Sequence, residues 1–231
     1  MKKLLDTLKR KWTEYFLETI VIVIGILVAF TLNNWNENRK QNNQLNQYRK
    51  NLRIELEVDI EKLNRYDSNV ARFKKSIVDY LDFYNSNEPN IDTLVSKMDS
   101  INYSLNSFKS SAYTIQELIS TGNLSTFPER EKKEILKLNN THENNLYYER
   151  ESIGNAIFQS EELSKHVDLL FNYGYTTKEH IEVKNWKYDI NSSQFRLMNN
   201  HIAGVLSLLN FQSVVYKRIK KDTETLLEVL E

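Results

Sequence analysis

From Ile20 to Phe30 the chain reads IVIVIGILVAF, without one polar side chain. Tyr15, Phe16 and Leu17 extend this run on one side and Thr31 and Leu32 on the other. It stops abruptly at Asn33-Asn34-Trp35-Asn36-Glu37-Asn38. Residues 15–35 make 21 positions, which as a helix cover about 30 Å, the thickness of a bilayer core. In hydrocarbon each backbone N–H and C=O must be paired within the segment, so a span of this kind is a helix. Trp12, Tyr15 and Phe16 mark one edge and Trp35 the other, as expected where aromatic rings with a polar edge settle at headgroup level. A cleaved signal peptide fits less well. Its apolar core is shorter, and Ala29-Phe30-Thr31 is a poor small-residue exit site. A buried core helix would not ordinarily carry an unbroken apolar run beside a Lys-rich terminus. The segment is expected to be an uncleaved anchor in the lipid bilayer.

The distribution of charge supplies an orientation. The chain has 31 basic and 31 acidic residues, and its 231 residues include 5 Gly, 2 Pro and no Cys. Residues 1–14 hold Lys2, Lys3, Lys9, Arg10 and Lys11 against Asp6 and Glu14, whereas residues 36–49 hold only Arg39, Lys40 and Arg49 as bases. The positive-inside rule puts the N-terminus in the cytoplasm. Residues 36–231 then lie outside, in the periplasm of a cell with two membranes, with the anchor in the inner membrane. This remainder carries 26 basic and 28 acidic residues, so nothing in it calls for a nucleic-acid partner. The lack of Cys excludes disulfides and Cys-ligated metals and fits that compartment.

Glu18 is the one ionisable residue of the span. It is either a proton or ion-pair site, or a side chain one turn from Tyr15 that reaches toward the headgroups or Lys11. Gly25 and Ala29 form a small-xxx-small pair through which a second helix could approach.

The stretch YFLETIVIVIGILVAFTLNNWNENR, Tyr15 to Arg39, resembles the N-terminal signature of an uncharacterised bacterial family of single-pass membrane proteins. That signature typically reads Gly-Glu-Ile-x-x-Val-Val-Ile-Gly-Ile-Leu-Ile-Ala-x-x-Ile-Asn-Asn-Trp-Asn-Glu. Glu18, Gly25, Ala29, Asn33, Asn34, Trp35, Asn36 and Glu37 match it, and Leu17 stands where the family commonly has Gly. The likeness covers about a tenth of the chain; beyond it, only a helical pattern and Ser-Thr-Gly-Asn-Leu at 120–124 are similar. It implies a membrane-anchored helical domain and transfers no catalytic residue.

Residues 36–47 are rich in Asn and Gln, with Leu45 the lone aliphatic residue, and read as a polar stalk, helical or frayed. Apolar residues then recur at 45, 48, 52, 56, 60, 63, 66, 70, 73, 77, 81 and 84. The mean step falls between the ~3.5 of a coiled coil and the ~3.6 of a straight helix. The run 85–90 signals a turn. A second helix is expected from Ile91 to about Thr121, with a Ser/Asn-rich middle at 102–111 where it could break, and a stop at Gly122. A third begins at Pro128 and runs to about Asn172. Its core face is expected from Ile135, Leu138, Leu146, Ile153, Ile157, Leu163, Val167 and Leu170. Alternation about Lys184-Asn185 suggests a small hairpin over 181–190. A fourth helix follows from about Ser192. The expected fold is therefore all-α: a transmembrane helix (15–35) continuing through a stalk into an up-down-up-down four-helix bundle (48–231).

Catalytic patterns are missing. No GxGxxG, GxxxxGK or GxSxG motif occurs, and His142, His166, His180 and His201 lack the spacings of a di-iron or zinc helix. No enzyme activity, metal, cofactor or small-molecule substrate is expected. Lys217, Arg218, Lys220 and Lys221 form a basic cluster, read as a solvated helix face or a contact with anionic lipid. The aromatics Tyr173, Tyr175, Trp186 and Tyr188 are candidates either for partner recognition or for closing the end of the core. The expected function is a non-enzymatic scaffold or accessory subunit of a cell-envelope assembly, with a protein partner or a second copy. The alternative is a sensory ectodomain. With about 14 residues in the cytoplasm, it would signal through a partner's transmembrane helix.

Overall fold

The computed structural model describes residues 12–231; Lys2, Lys3, Lys9, Arg10 and Lys11 lie outside them. The described chain is all helical. Its helices are α1 (Trp12–Tyr84), α2 (Ile91–Asp99), α3 (Tyr113–Thr121), α4 (Glu129–Ser164), α5 (Leu169–Asn172) and α6 (Ser193–Val229), with short 3-10 turns at Asn123–Thr126 and Trp186–Tyr188. The described residues fall into two compact units that divide after Asn51, within α1.

The first unit is helix alone. Every residue from Tyr15 to Gln44 is exposed, and the helix is long and apolar enough to cross a membrane. Two of its hydroxyl groups are satisfied within the helix: Thr19 donates to the Tyr15 carbonyl and Thr31 to the Leu27 carbonyl, each at 2.8 Å. Residues 36–47 are helical throughout. Short-range pairs line this stretch and its continuation, among them Glu37–Lys40 at 3.4 Å, Gln44–Tyr48 at 3.2 Å and Gln47–Asn51 at 2.8 Å. Neighbours three and four apart on a helix are the ones that can meet in this way.

The second unit holds the core. Leu52, Leu56, Leu63, Val70 and Ile77 of α1 are buried, a heptad-like stripe. Helices α4 and α6 pair in opposite directions. Thr141 and Lys137 meet Asp222, Glu149 meets Tyr216 and Gln212, and Gly204 faces Ala156 and Gln159, where a Cβ would lie 3.5 Å from a Gln159 carbon. Helix α1 also runs opposite to α6, with Tyr66 on Tyr216, Tyr80 bonded to Asn199 and Tyr84 stacked on Phe195.

The stretch from 91 to 121 departs from the expected helix. Only its ends, α2 and α3, are helical, and residues 101–112 form an irregular leg. Ser and Asn compete with the helix for backbone hydrogen bonds. Here Ser110 and the backbone of Ser111 are drawn instead to Asp59, whose side chain is fully buried.

Two further expectations need correction. The third helix ends at Ser164, because Asp168 takes the N–H groups of Phe171 and His180 and so starts α5 as a separate turn. Its core face is also displaced. Ile135 and Leu138 are buried, but Leu146, Ile157 and Leu170 are exposed. The inward stripe runs instead through Glu131, Asn139, Thr141, Asn145, Glu149 and Ala156. A search for apolar periodicity misses a face that is polar in its middle.

No strand occurs among the described residues, so the hairpin at 181–190 is absent. Asn185 adopts a left-handed φ of 65°, its N–H donates to Glu179, and Trp186–Tyr188 coil into a 3-10 turn. The alternating pattern reflects one buried ring, Trp186, among exposed neighbours.

Candidate functional site

The residues singled out along the apolar stretch of α1 are all open. Trp12, Tyr15 and Trp35 are exposed, as is Glu18, and a Cβ at Gly25 would meet nothing within 4 Å. Ala29 lies one turn on and is equally exposed. Trp12 stacks on Phe16 at 5.5 Å, and the Arg39 guanidinium sits 5.8 Å from the Trp35 ring.

The four aromatics of the 173–190 region are divided by the structure. Tyr173 and Tyr175 are 69% and 79% exposed, with rings 6.2 Å apart, and Tyr188 is more than half exposed. Trp186 is only 5% exposed. Its carbonyl accepts from Ser192, the N-cap of α6. It packs as a core residue, and its remaining surface borders a small cleft with Tyr173 and Lys187. Leu169, Leu170, Phe171 and Ile181 join the exposed tyrosines.

In the basic cluster, Lys217, Arg218 and Lys221 are exposed, and Lys220 approaches Glu224 at 3.8 Å. Arg218 borders a shallow cleft with Lys132, Lys133 and Lys137. Lys132 and Lys137 are already paired with Glu129 and Asp222 at 3.0 and 2.8 Å.

Sequence reasoning missed a polar interior. The Glu149 carboxyl is buried and accepts from the Gln212 amide at 2.7 Å and the Tyr216 hydroxyl at 2.6 Å. Burial, followed by that carboxyl, pushes the Tyr216 hydroxyl well above the ordinary phenol range. Asp222 accepts from Thr141 at 3.0 Å and pairs with Lys137, which raises the Lys137 ammonium. The His142 imidazole lies near Asp59 and Asp222 and at the edge of the Phe108 ring. Burial outweighs the two carboxylates and lowers its pKa. His201 shares a 2.5 Å hydrogen bond with the Tyr103 hydroxyl, and burial lowers its pKa as well. Among the described residues no group of three His, Asp or Glu could hold a metal ion. A sequence signal for these sites did exist: Asp59, Glu149 and Asp222 all fall on inward helical phases.

This interior opens on one side into a groove of about 790 Å³. Helix α1 contributes Lys62, Arg65, Tyr66 and Phe73, the irregular leg contributes Ser104 to Ser107 and Lys109, and Gln212 of α6 completes the lining. The leg is tethered to α1 by three side chains. Tyr66 donates to the Ser107 carbonyl at 3.2 Å, Lys62 reaches the Lys109 carbonyl and the Ser111 hydroxyl, and Asp59 takes the Ser110 hydroxyl and the Ser111 N–H.

Comparison with family models, with curated proteins and with solved structures found no match.

Proposed function

We propose that this chain is a membrane-anchored, non-enzymatic helical protein that scaffolds or assists an assembly of the bacterial cell envelope. The observation that carries the reading is α1. Its apolar stretch finds no cover among the described residues, while the same helix continues into a separately packed unit. An exposed apolar helix of that length is covered by lipid more readily than by water. In this reading the N-terminus is cytoplasmic and residues 48–231 are periplasmic. The second unit is an up-down-up-down bundle whose second leg, 91–121, is broken in the middle. The opposed directions of α1, α4 and α6 described above support that topology. Tyr173, Tyr175 and Tyr188 remain partner-contact candidates, and Trp186 is left out.

Mild-detergent extraction followed by mass measurement tests the proposal. A defined hetero-complex or homo-oligomer is expected; a strictly monomeric, partnerless protein would count heavily against it. Orientation is tested separately. A cysteine introduced at exposed Ser160, in a chain that has none, should react with a membrane-impermeant maleimide on intact spheroplasts.

The groove favours a second reading, a sensory ectodomain. Its volume lies in the ~300–1,000 Å³ range of ligand clefts. A sensor would have to pass its signal along α1 to a neighbouring helix at Gly25 and Ala29. The substitution Gly25→Leu would then abolish output with the unit 52–231 still folded; unaltered output removes that route.

A further inference from the structure

We propose that the groove between α1 and the irregular leg binds an extended, acidic segment of a protein partner, with the leg pairing to it through its backbone and Arg65 and Lys109 engaging its carboxylates. The inference rests on the partner-dependent reading above and names the chemistry of the segment recognised.

Three observations converge. The first is the unspent backbone of the leg. Of the nine backbone N–H groups from Asn102 to Ser110, only that of Phe108 approaches an acceptor among the described residues, the Tyr216 hydroxyl. Backbone donors without such a partner are a ready template for another strand, the mode by which extended peptides add to a free edge. The second is that the stretch 102–105, whose N–H and C=O groups are both unspent among the described residues, runs directly into a fixed one. The carbonyls of Asn106, Ser107 and Lys109 accept from Gln212, Tyr66 and Lys62, and Asp59 fixes Ser110 and Ser111. A template fixed in this way avoids much of the ordering cost that a floppy loop would pay on binding. The third is charge. No Asp or Glu lines the groove, whereas Lys62, Arg65 and Lys109 do. Lys62 is occupied with the leg and lies 3.9 Å from Asp59. Arg65 and Lys109 are exposed, and neither side chain has a partner among the described residues. Tyr66 and Phe73 supply apolar surface between them. A basic segment would be repelled, and a helical one would leave the leg's donors unanswered.

The test is a selection of displayed random hexapeptides on the full chain in detergent micelles, with counter-selection on the double variant Arg65→Glu/Lys109→Glu. Enrichment of sequences rich in Asp and Glu is expected. Their synthetic forms should bind wild type saturably by fluorescence anisotropy, more weakly as salt rises, and about tenfold or more weaker to the double variant. Methylating alternate backbone nitrogens of the peptide should remove binding, because it deletes donors and blocks strand pairing. Both substituted side chains point to solvent, so thermal unfolding should match wild type. The milder Lys109→Ala should show an intermediate loss and guards against misfolding of the double variant. Failure to enrich over the counter-selected variant, equal affinity for the variant, or equal binding of the N-methylated peptides overturns the proposal. So does citrate that competes as tightly as the peptide, which would make the groove a small-anion site. A partner recovered by co-purification together with a failed selection overturns the groove alone. A successful selection with no recoverable partner overturns the scaffold reading and leaves the groove standing.

Discussion

Gly122 and Gly154 are the same residue in opposite circumstances. Gly122 ends α3 with φ at +75° and the N–H returned to Ile119, a left-handed C-cap. Gly154 lies inside α4, and a Cβ on either would meet nothing within 4 Å. Space is therefore not the issue, and backbone preference decides the sign. Gly122→Ala should destabilise by about 1 kcal/mol, because an L residue resists the left-handed region. Gly154→Ala should stabilise by about 0.5–1 kcal/mol, because a helical glycine carries excess chain entropy. Urea midpoints at constant slope would measure both. The buried histidines give a pH signature. Burial holds the pKa values of His142 and His201 below the ordinary imidazole value. On unfolding each regains an affinity for protons near pH 6.5. The unfolded state therefore binds more protons once pH falls below about 6.5. Stability is complete above that point and declines below it, by at most about 1.4 kcal/mol per pH unit per histidine. His201→Gln keeps an acceptor for Tyr103 and removes one titration. Unfolding free energies measured from pH 7.5 down to 5 should fall less steeply in this variant than in wild type.

At the scale of elements, the irregular leg 101–112 is where one side chain holds most structure. The fully buried Asp59 carboxylate accepts from Ser110 and the Ser111 backbone and faces Lys62. Asp59→Ala would strand those donors in a buried place, a loss of about 2–4 kcal/mol on the scale of hydrogen bonds to charged groups. The effect should be local first: amide exchange and protease cleavage should rise within 101–112 before α4 and α6 respond. Asp59→Asn, which keeps one acceptor, should cost less. The leg also shows how far sequence could go. The Ser/Asn-rich middle of 91–121 and the stop at Gly122 were readable from local chemistry alone, as were the turn at 85–90 and the start of α6 at Ser192. The extent of the break was not readable, since it depends on Asp59 lying some fifty residues away in sequence. The phase of α4 was lost for a related reason. Its inward residues Thr141 and Glu149 are polar because Asp222, Gln212 and Tyr216 await them on α6, and Asn145 turns to Glu149 on its own helix; periodicity counted only apolar positions. The hairpin failed because period two in Trp186, Tyr188 and Ile190 came from one buried ring and not from a pleated face. The groove had no local signal at all. It exists only because α1, the leg and Gln212 of α6, far apart in sequence, face one another.

The two units differ in how they cover apolar surface: the second buries its own, and the first leaves it exposed. Residues 52–231 bury their own core and satisfy Asp59, Glu149 and Asp222 with partners from the same unit. A chain beginning at Leu52 should therefore remain soluble and melt cooperatively in far-ultraviolet dichroism, within a few degrees of the full chain in detergent. The exposed stretch around Ile20 to Phe30 has no such support among the described residues, and in the membrane-anchored reading proposed above lipid supplies it. That dependence can be measured on the full chain. Placing a charge at the middle of the span, as in Ile24→Arg, costs about 2.5–3.5 kcal/mol for insertion on the biological scale. The same charge at exposed Arg39, already outside the span, is the natural control, and Arg39→Ile should leave insertion unchanged. In carbonate-washed membranes the wild-type chain and Arg39→Ile should stay with the pellet, while a substantial fraction of Ile24→Arg moves to the supernatant. Because the unit from Leu52 onward contributes nothing to that partition, the released fraction should retain the wild-type melting profile of residues 52–231. Equal retention of all three chains would show that something other than lipid covers α1.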